Sequence, residues 1–231
     1  MMEYFDGEAV TSALQKARQE PESMKARILA GARRIFGQFG YHGATTRLIA
    51  REVGVDISTL HYHWGDKGGL YQAVIYDIAQ DLKDQLARVE RIIRGKPLAR
   101  RMHLAIDLMT DYLFEHPEIS NLILLRYFSK TRAEMTWDQS IPMFVSDIAR
   151  SMGLQEPDGS ISIQSRMRVL AMMNAIHNFI SGQDHFRAVL GLDQREYMTR
   201  TKETLRFLLI PAFTSAETPE SPGTGTNQDK E

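Results

Sequence analysis

Apolar residues recur along this chain at steps of three and four, the spacing of one helix face rather than the alternation of a strand. From Met24, residues Ile28, Leu29, Ala32, Ile35, Phe36 and Phe39 keep that step until Gly40, which predicts an amphipathic helix that stops there. Two short helical patterns follow, 46–53 and 57–63, parted only by Gly54, Val55 and Asp56. So tight a connection suits a helix-turn-helix. Ala50 is small where the two helices would cross, Gly54 permits the positive φ of the turn, and Ile49, Val53, Val55 and Leu60 face inward. Thr45 or Thr46 is placed to cap the first helix, and Asp56 or Ser58 the second.

From Asp66, another cap, a long pattern through Leu70, Val74, Ile78, Leu82, Leu86 and Val89 runs to about Arg94, where Gly95 and Pro97 end it. A helix burying Ala105, Leu108, Met109, Tyr112 and Leu113 ends at Glu115-His116, and Pro117 opens the next, to about Ser129. A further helix spans 141–152, followed by a turn at Glu156-Pro157-Asp158-Gly159. In 162–181 apolar residues surround most of the helix, so one face alone cannot bury them. The last pattern, 193–210, is ended by Pro211. No strand-like alternation or internal repeat stands out, and the expected fold class is all-α.

The two ends differ from this pattern. Residues 1–23 lack sustained periodicity and read as a flexible amino-terminal arm, while 214–231, rich in Ser, Thr, Pro, Gly and Glu, reads as a disordered tail. Between them lie a helix-turn-helix domain at 24–72 and a second helical domain at 73–213.

Charge sharpens the picture. The whole chain carries a formal net charge of −1, yet between Met24 and Gln72 seven Lys and Arg stand against three Asp and Glu, leaving +4 there and −5 elsewhere. A basic amino-terminal segment on an acidic body is the asymmetry expected when one end meets phosphate. The absence of cysteine excludes disulfide frameworks, thiolate metal sites and cysteine nucleophiles. No apolar run approaches the roughly 20 residues that span a bilayer, and the first 20 residues lack a signal-peptide pattern, so a cytoplasmic location is expected. No P-loop, H-E-x-x-H or G-x-S-x-G motif points to an enzyme, and no cofactor is implied. His61 and His63, two apart on a helix, point about 200° from each other and cannot share a metal ion.

The stretch Ile28 to Lys67, from ILAGARRIFGQFGYHGATTRLIA to REVGVDISTLHYHWGDK, closely resembles the DNA-binding domain of the tetracycline-repressor (TetR) family. That family consists of all-α homodimeric transcription regulators, mostly repressors. The resemblance covers about the first third of the chain, with 115–118 and the two apolar final helices also similar to the family. It implies that 57–63 is the recognition helix, that Arg47, Ser58, Thr59 and Tyr62 approach bases, and that Thr46, His61, His63 and Lys67 contact the DNA backbone. Physical chemistry agrees on the types: hydroxyls and backbone N–H groups at a helix start bind phosphate, and an arginine forks onto guanine. His61 departs from the family, which usually has tyrosine there.

The implied partners are a near-palindromic double-stranded operator, a second copy of the chain and a small, largely apolar effector. Pairing would use 162–181 and 193–210 as a four-helix interface. Candidate effector-binding residues are Met109, Tyr112, Tyr127, Phe128, Met143, Phe144, Met173 and His177, drawn from a region rich in methionine and aromatic residues. Asn174, His177 and Asn178 interrupt the most apolar helix and need partners, either a ligand or the other subunit. A ligand-independent DNA-binding or architectural protein is the alternative; DNA release by a ligand separates the two.

Overall fold

The computed structural model describes residues 7–128 and 141–214, without the side chains of 7–10 and 141–143. The described residues form eleven helices and no strand: α1 (Gly7–Gln19), α2 (Met24–Gly43), α3 (Thr46–Val53), α4 (Ile57–Trp64), α5 (Lys67–Ile93), α6 (Leu98–Glu115), α7 (Pro117–Phe128), α8 (Ile141–Ser151), α9 (Ile163–Ser181), α10 (Gln183–Leu190) and α11 (Gln194–Thr214). Most boundaries follow local chemistry. Ser23, Thr45, Asp66 and Ser162 each cap the following helix by accepting from a backbone N–H three residues on. Gly40 adopts φ 66°, so the regular part of α2 ends where the apolar stripe ends.

The all-α expectation is met, with three corrections. The segment expected to be an arm contains α1, which buries Leu14 and Ala17 and docks on α5 and α2. Its docking depends on Arg18, whose guanidinium donates to Asp77 and Asp81 of α5, at 2.6 and 2.9 Å. That partner lies about sixty residues away, so no local pattern announces it. Second, α10 is an eight-residue helix with no buried residue. Third, Pro211 does not end α11. It removes one backbone donor in the last turn, but the helix continues and buries Phe213. Residues 1–6 and the expected tail at 215–231 lie outside the described residues.

One hydrophobic core runs from Ile49 and Leu60 of the helix-turn-helix, through Phe36, Leu70 and Leu122, to Ile180 and Leu205, while Val145, Ala149, Ile161 and Val169 form a smaller cluster under α8 and α9. The chain direction therefore carries α5 from the helix-turn-helix into the body as a continuous rod of 27 residues, about 40 Å long. The second attachment is α7, which packs intimately on α2. A Cβ at Gly37 would lie 2.7 Å from the Cβ of Glu118, so only glycine allows this approach.

Arg33 of α2 is held in the same junction. Its guanidinium donates to Asp77 and Asp81 of α5 and to Glu118 of α7, at 2.6, 2.5 and 3.3 Å. Burial opposes its charge, but hydrogen bonds and attraction from Asp81 and Asp77 outweigh that and raise its pKa above the ordinary value. A helix-borne arginine of this kind is ordinarily solvated, but Arg33 is the ion-pair centre joining α2, α5 and α7. Arg34, by contrast, is exposed and pairs with Glu52 of α3 at 2.8 Å.

Candidate DNA-recognition surface and internal cavity

The turn between α3 and α4 is built as its residues require. Gly54 lies at φ 75° and ψ 40°, and the N–H of Val55 donates to the carbonyl of Ala50 at 2.9 Å. Asp56 precedes α4 without a side-chain capping bond. Ile49, Ala50 and Leu60 are buried, and Trp64 packs inward with its indole N–H on the carbonyl of Lys25 at 3.1 Å.

Leu60 and Trp64 set the inward side of α4. At about 100° per residue, Ser58 and Tyr62 then point directly away, flanked by Thr59 and His61. Tyr62 is 86% exposed, too much for a core aromatic. Arg47 is exposed on the first turn of α3 beside half-buried Thr46, and His63 is half-buried on the edge of α4. His61 shares a 2.5 Å hydrogen bond between Nδ1 and the carbonyl of Gly65, which fixes its ring at the end of the helix. Lys67 has a further role. Its ammonium donates to the carbonyls of Tyr41 and Ala44, at 3.0 and 3.1 Å, and lies 4.4 Å from the centre of the Tyr41 ring. It thereby satisfies carbonyls at the end of α2 and ties the start of α5 to them.

A cavity of about 340 Å³ lies between α5, α6, α8 and α9. Its wall is chiefly aliphatic, with five methionines: Met102, Met109, Met152, Met172 and Met173. Thioether side chains adapt to irregular apolar shapes. Exposed Lys83 and Ala87 of α5 and Asp147 of α8 mark the mouth, and Arg101, Glu90 and Ser151 form a polar group on one side of it. Ser151 Oγ donates to Glu90 at 2.5 Å, and Arg101 lies 3.8 Å from the same carboxylate.

Of the candidate effector residues, Met109, Phe144, Met173 and His177 line this cavity. Tyr112, Tyr127 and Phe128 do not. Tyr112 turns toward the Arg33 junction, where burial and then the charge of Asp81 push its pKa up to about 12. Tyr127 packs against the main core, and Phe128 is 84% exposed at the end of α7. The side chain of Met143 lies outside the described residues. Asn174 and Asn178 face outward, whereas His177 is buried, 5% exposed, with Nδ1 3.0 Å from Ser120 Oγ of α7. Burial holds its pKa down to about 4, so the ring is neutral. Arg101, Glu90 and Ser151 carry no sequence signal: each sits in an ordinary amphipathic helix and meets the others only through tertiary packing.

No group of three or more His, Asp or Glu suited to a metal ion occurs among the described residues, and none of their helices is long and apolar enough to cross a membrane. Residues 28–74 match the model of the family described as "Bacterial regulatory proteins, tetR family". The chain is 26% identical over 133 residues to the HTH-type transcriptional repressor AcnR of Corynebacterium glutamicum, covering 53% of this chain and 71% of that repressor. It is 36% identical over 76 residues to the HTH-type transcriptional regulator UidR of Escherichia coli, covering 33% of this chain and 37% of that regulator. With UidR, then, the chain matches little more than a third of the relative's length. In three dimensions it resembles the transcriptional regulator FadR of Bacillus subtilis, solved in complex with stearoyl-CoA. The TM-score is 0.52 at 15% identity, over 80% of this chain and 96% of that one, a likeness of fold.

Proposed function

From the premise that this chain belongs to the tetR family of bacterial transcriptional regulators, we propose that it is a ligand-responsive repressor. In this reading it binds a near-palindromic operator as a homodimer and is released by a small, largely apolar effector. The observation that carries the DNA half is the outward face of α4. Ser58, Thr59 and Tyr62, with Arg47 beside them, approach bases, while Thr46, His61, His63 and Lys67 contact phosphate. Lys67 keeps one N–H for a phosphate after serving the end of α2.

The dimer uses α9 and α11. Their outer sides leave Met167, Phe207 and Leu208 uncovered, with Phe207 78% exposed, and a second copy related by a twofold axis would cover them. The two recognition helices then meet half-sites about 34 Å or a multiple apart on one face of the duplex.

The effector half rests on the cavity. A void of this size with a mainly apolar wall falls in the range of small-molecule sites. FadR of B. subtilis was solved with stearoyl-CoA, and an apolar occupant suits the methionine-rich wall here as well. Two rods connect cavity and DNA face: α5, lined by the cavity from Leu82 to Ile93 and begun at Lys67, and α7, wedged on α2 at Gly37 and Arg33. An occupant that prefers the non-binding spacing by about 1.4 kcal/mol lowers DNA affinity tenfold; equal affinity for both states would shift nothing. The division into a DNA-binding domain at 24–72 and an effector and dimerisation domain at 73–213 is part of this reading.

The test is fluorescence anisotropy of a selected operator titrated with the protein, with and without each member of a metabolite panel. At least one largely apolar compound should weaken binding tenfold or more. If none alters either affinity or thermal stability, the ligand-independent architectural reading replaces this one.

A further inference from the structure

Among the described residues the cavity wall contains six polar side chains, and five of them lie at its mouth or flank. Lys83 and Asp147 are exposed, and Asp147 pairs with Arg150 at 2.6 Å. Glu90, Arg101 and Ser151 engage one another, so their charges are matched within the protein. The sixth, His177, is the one buried polar group of the lining. Helix geometry places it. Ser120, its partner, lies in the first turn of α7, which follows directly on the end of α6, so His177 lies toward the end of α6 that is remote from Arg101. Arg101 to Leu113 covers about 18 Å of that helix. Among the described residues the cavity thus has apolar sides, a polar rim in which Glu90 with Arg101 and Asp147 with Arg150 are paired while exposed Lys83 faces solvent, and a single imidazole away from that rim.

Nδ1 of that imidazole is occupied by Ser120, which leaves Nε2 as its remaining hydrogen-bonding atom. Among the described residues Nε2 has no protein partner, so a ligand atom that pairs with it gains a hydrogen bond in an apolar setting, where an unpaired group is costly. A charged ligand group at this depth finds no unmatched opposite charge and would keep its desolvation penalty.

We propose that His177 is a specificity-determining residue of the cavity. It reads, through Nε2, one hydroxyl or carbonyl oxygen on an otherwise apolar and uncharged ligand. Whichever tautomer Ser120 selects, a hydroxyl answers it, and a carbonyl answers the one with the proton on Nε2. Because Ser120 belongs to α7, the same contact connects the ligand to the helix that abuts Gly37 and Glu118–Arg33. This inference rests on the reading of the cavity as an effector site, and deepens it by naming the ligand class.

The test uses ligands of about ten carbons, a size suited to a cavity of this class, on the full chain without DNA. Decanol, decanone, chlorodecane, decanoate and decylammonium are compared by calorimetry. Decanol should bind at least tenfold more tightly than chlorodecane and than either charged probe; decanone should match it if Ser120 donates to Nδ1, which places the proton on Nε2, and should fall to the level of chlorodecane if Nδ1 donates to Ser120. In the double variant Ser120→Ala/His177→Leu both partners become apolar, so no buried hydroxyl is left unpaired. That variant should lose the preference over chlorodecane while still binding it. The variant His177→Gln should retain most of the preference. In isotope-labelled histidine spectra of the wild type, the Nε2 resonance of His177 should move with decanol and not with chlorodecane.

A preference for decanoate would overturn the proposal and point to Arg101, whose Nε has no hydrogen-bond partner among the described residues. Selectivity unchanged in the double variant, or no binding by any probe up to its solubility limit, would overturn it too. Since DNA is absent, His177-dependent selectivity without operator release would contradict the proposed regulation alone, and operator release by a charged effector would contradict this inference alone.

Discussion

Replacing Gly37 by alanine probes the contact that fastens the DNA-binding helices to the body. The added Cβ would lie 2.7 Å from the Cβ of Glu118, 3.0 Å from its Cα and 3.3 Å from its carbonyl oxygen. Carbon atoms rest at about 3.5–4.0 Å, so α2 and α7 must part by roughly 1 Å, and the obstacle is backbone and the Cβ fixed to it rather than a side-chain end that can swing away. In an uncrowded helix interior the same change would stabilise by about 1 kcal/mol. Overpacking of a tight interface costs about 1–3 kcal/mol. The crowding outweighs the propensity gain, because the parting also lengthens the 3.3 Å contact between Arg33 and Glu118. The expected result is net destabilisation of about 1–2 kcal/mol in urea unfolding with an unchanged m-value, accompanied by altered operator affinity. A Gly37→Ala protein more stable than wild type would refute the close α2–α7 contact on which the coupling argument stands.

Arg33→Met leaves the carboxylates of Asp77 and Asp81 with Arg18 alone and takes from Glu118 its arginine; a loss of about 3 kcal/mol is expected in urea unfolding, and a loss below about 0.5 kcal/mol would show the junction to be dispensable. His177 links stability to pH. Its folded pKa of about 4 lies below the ordinary 6.5, so between these values the unfolded chain binds the proton that the folded chain refuses. The contribution is therefore complete above about pH 6.5 and disappears as the pH falls toward 4, by about 3 kcal/mol relative to His177→Gln. Parallel stability curves for the two proteins over that range would contradict the burial of a neutral imidazole.

What the sequence made legible follows from the range of the interactions involved. Helices α3 to α6 are written in local chemistry: caps at Thr45 and Asp66, a left-handed glycine at position 54, and apolar steps that recur over whole turns. The exposed face of α4 is legible for the same reason, since burying Leu60 leaves Ser58 and Tyr62 outside. Helix α1 was not, because it is held by Arg18 on carboxylates about sixty residues away. The role of Arg33 is hidden in the same manner: a charge on a helix looks solvated until its partners arrive from two other helices. The cavity was half legible. Met109, Phe144, Met173 and His177 belong to it, but composition does not say which side of a helix faces the void, and so Tyr112 and Phe128 were grouped with them.

The central claim is that the outward face of α4 reads DNA sequence, and selection of binding sites from random duplexes by the wild-type protein tests it most directly. The account predicts enrichment of a near-palindrome with half-sites about 34 Å or a multiple apart. It further predicts that Arg47→Ala and Tyr62→Ala relax the preference at particular base pairs, each costing about 1–3 kcal/mol on the selected site and little on random DNA. Selected pools with no common sequence, or equal losses by both variants on selected and random DNA, would contradict it.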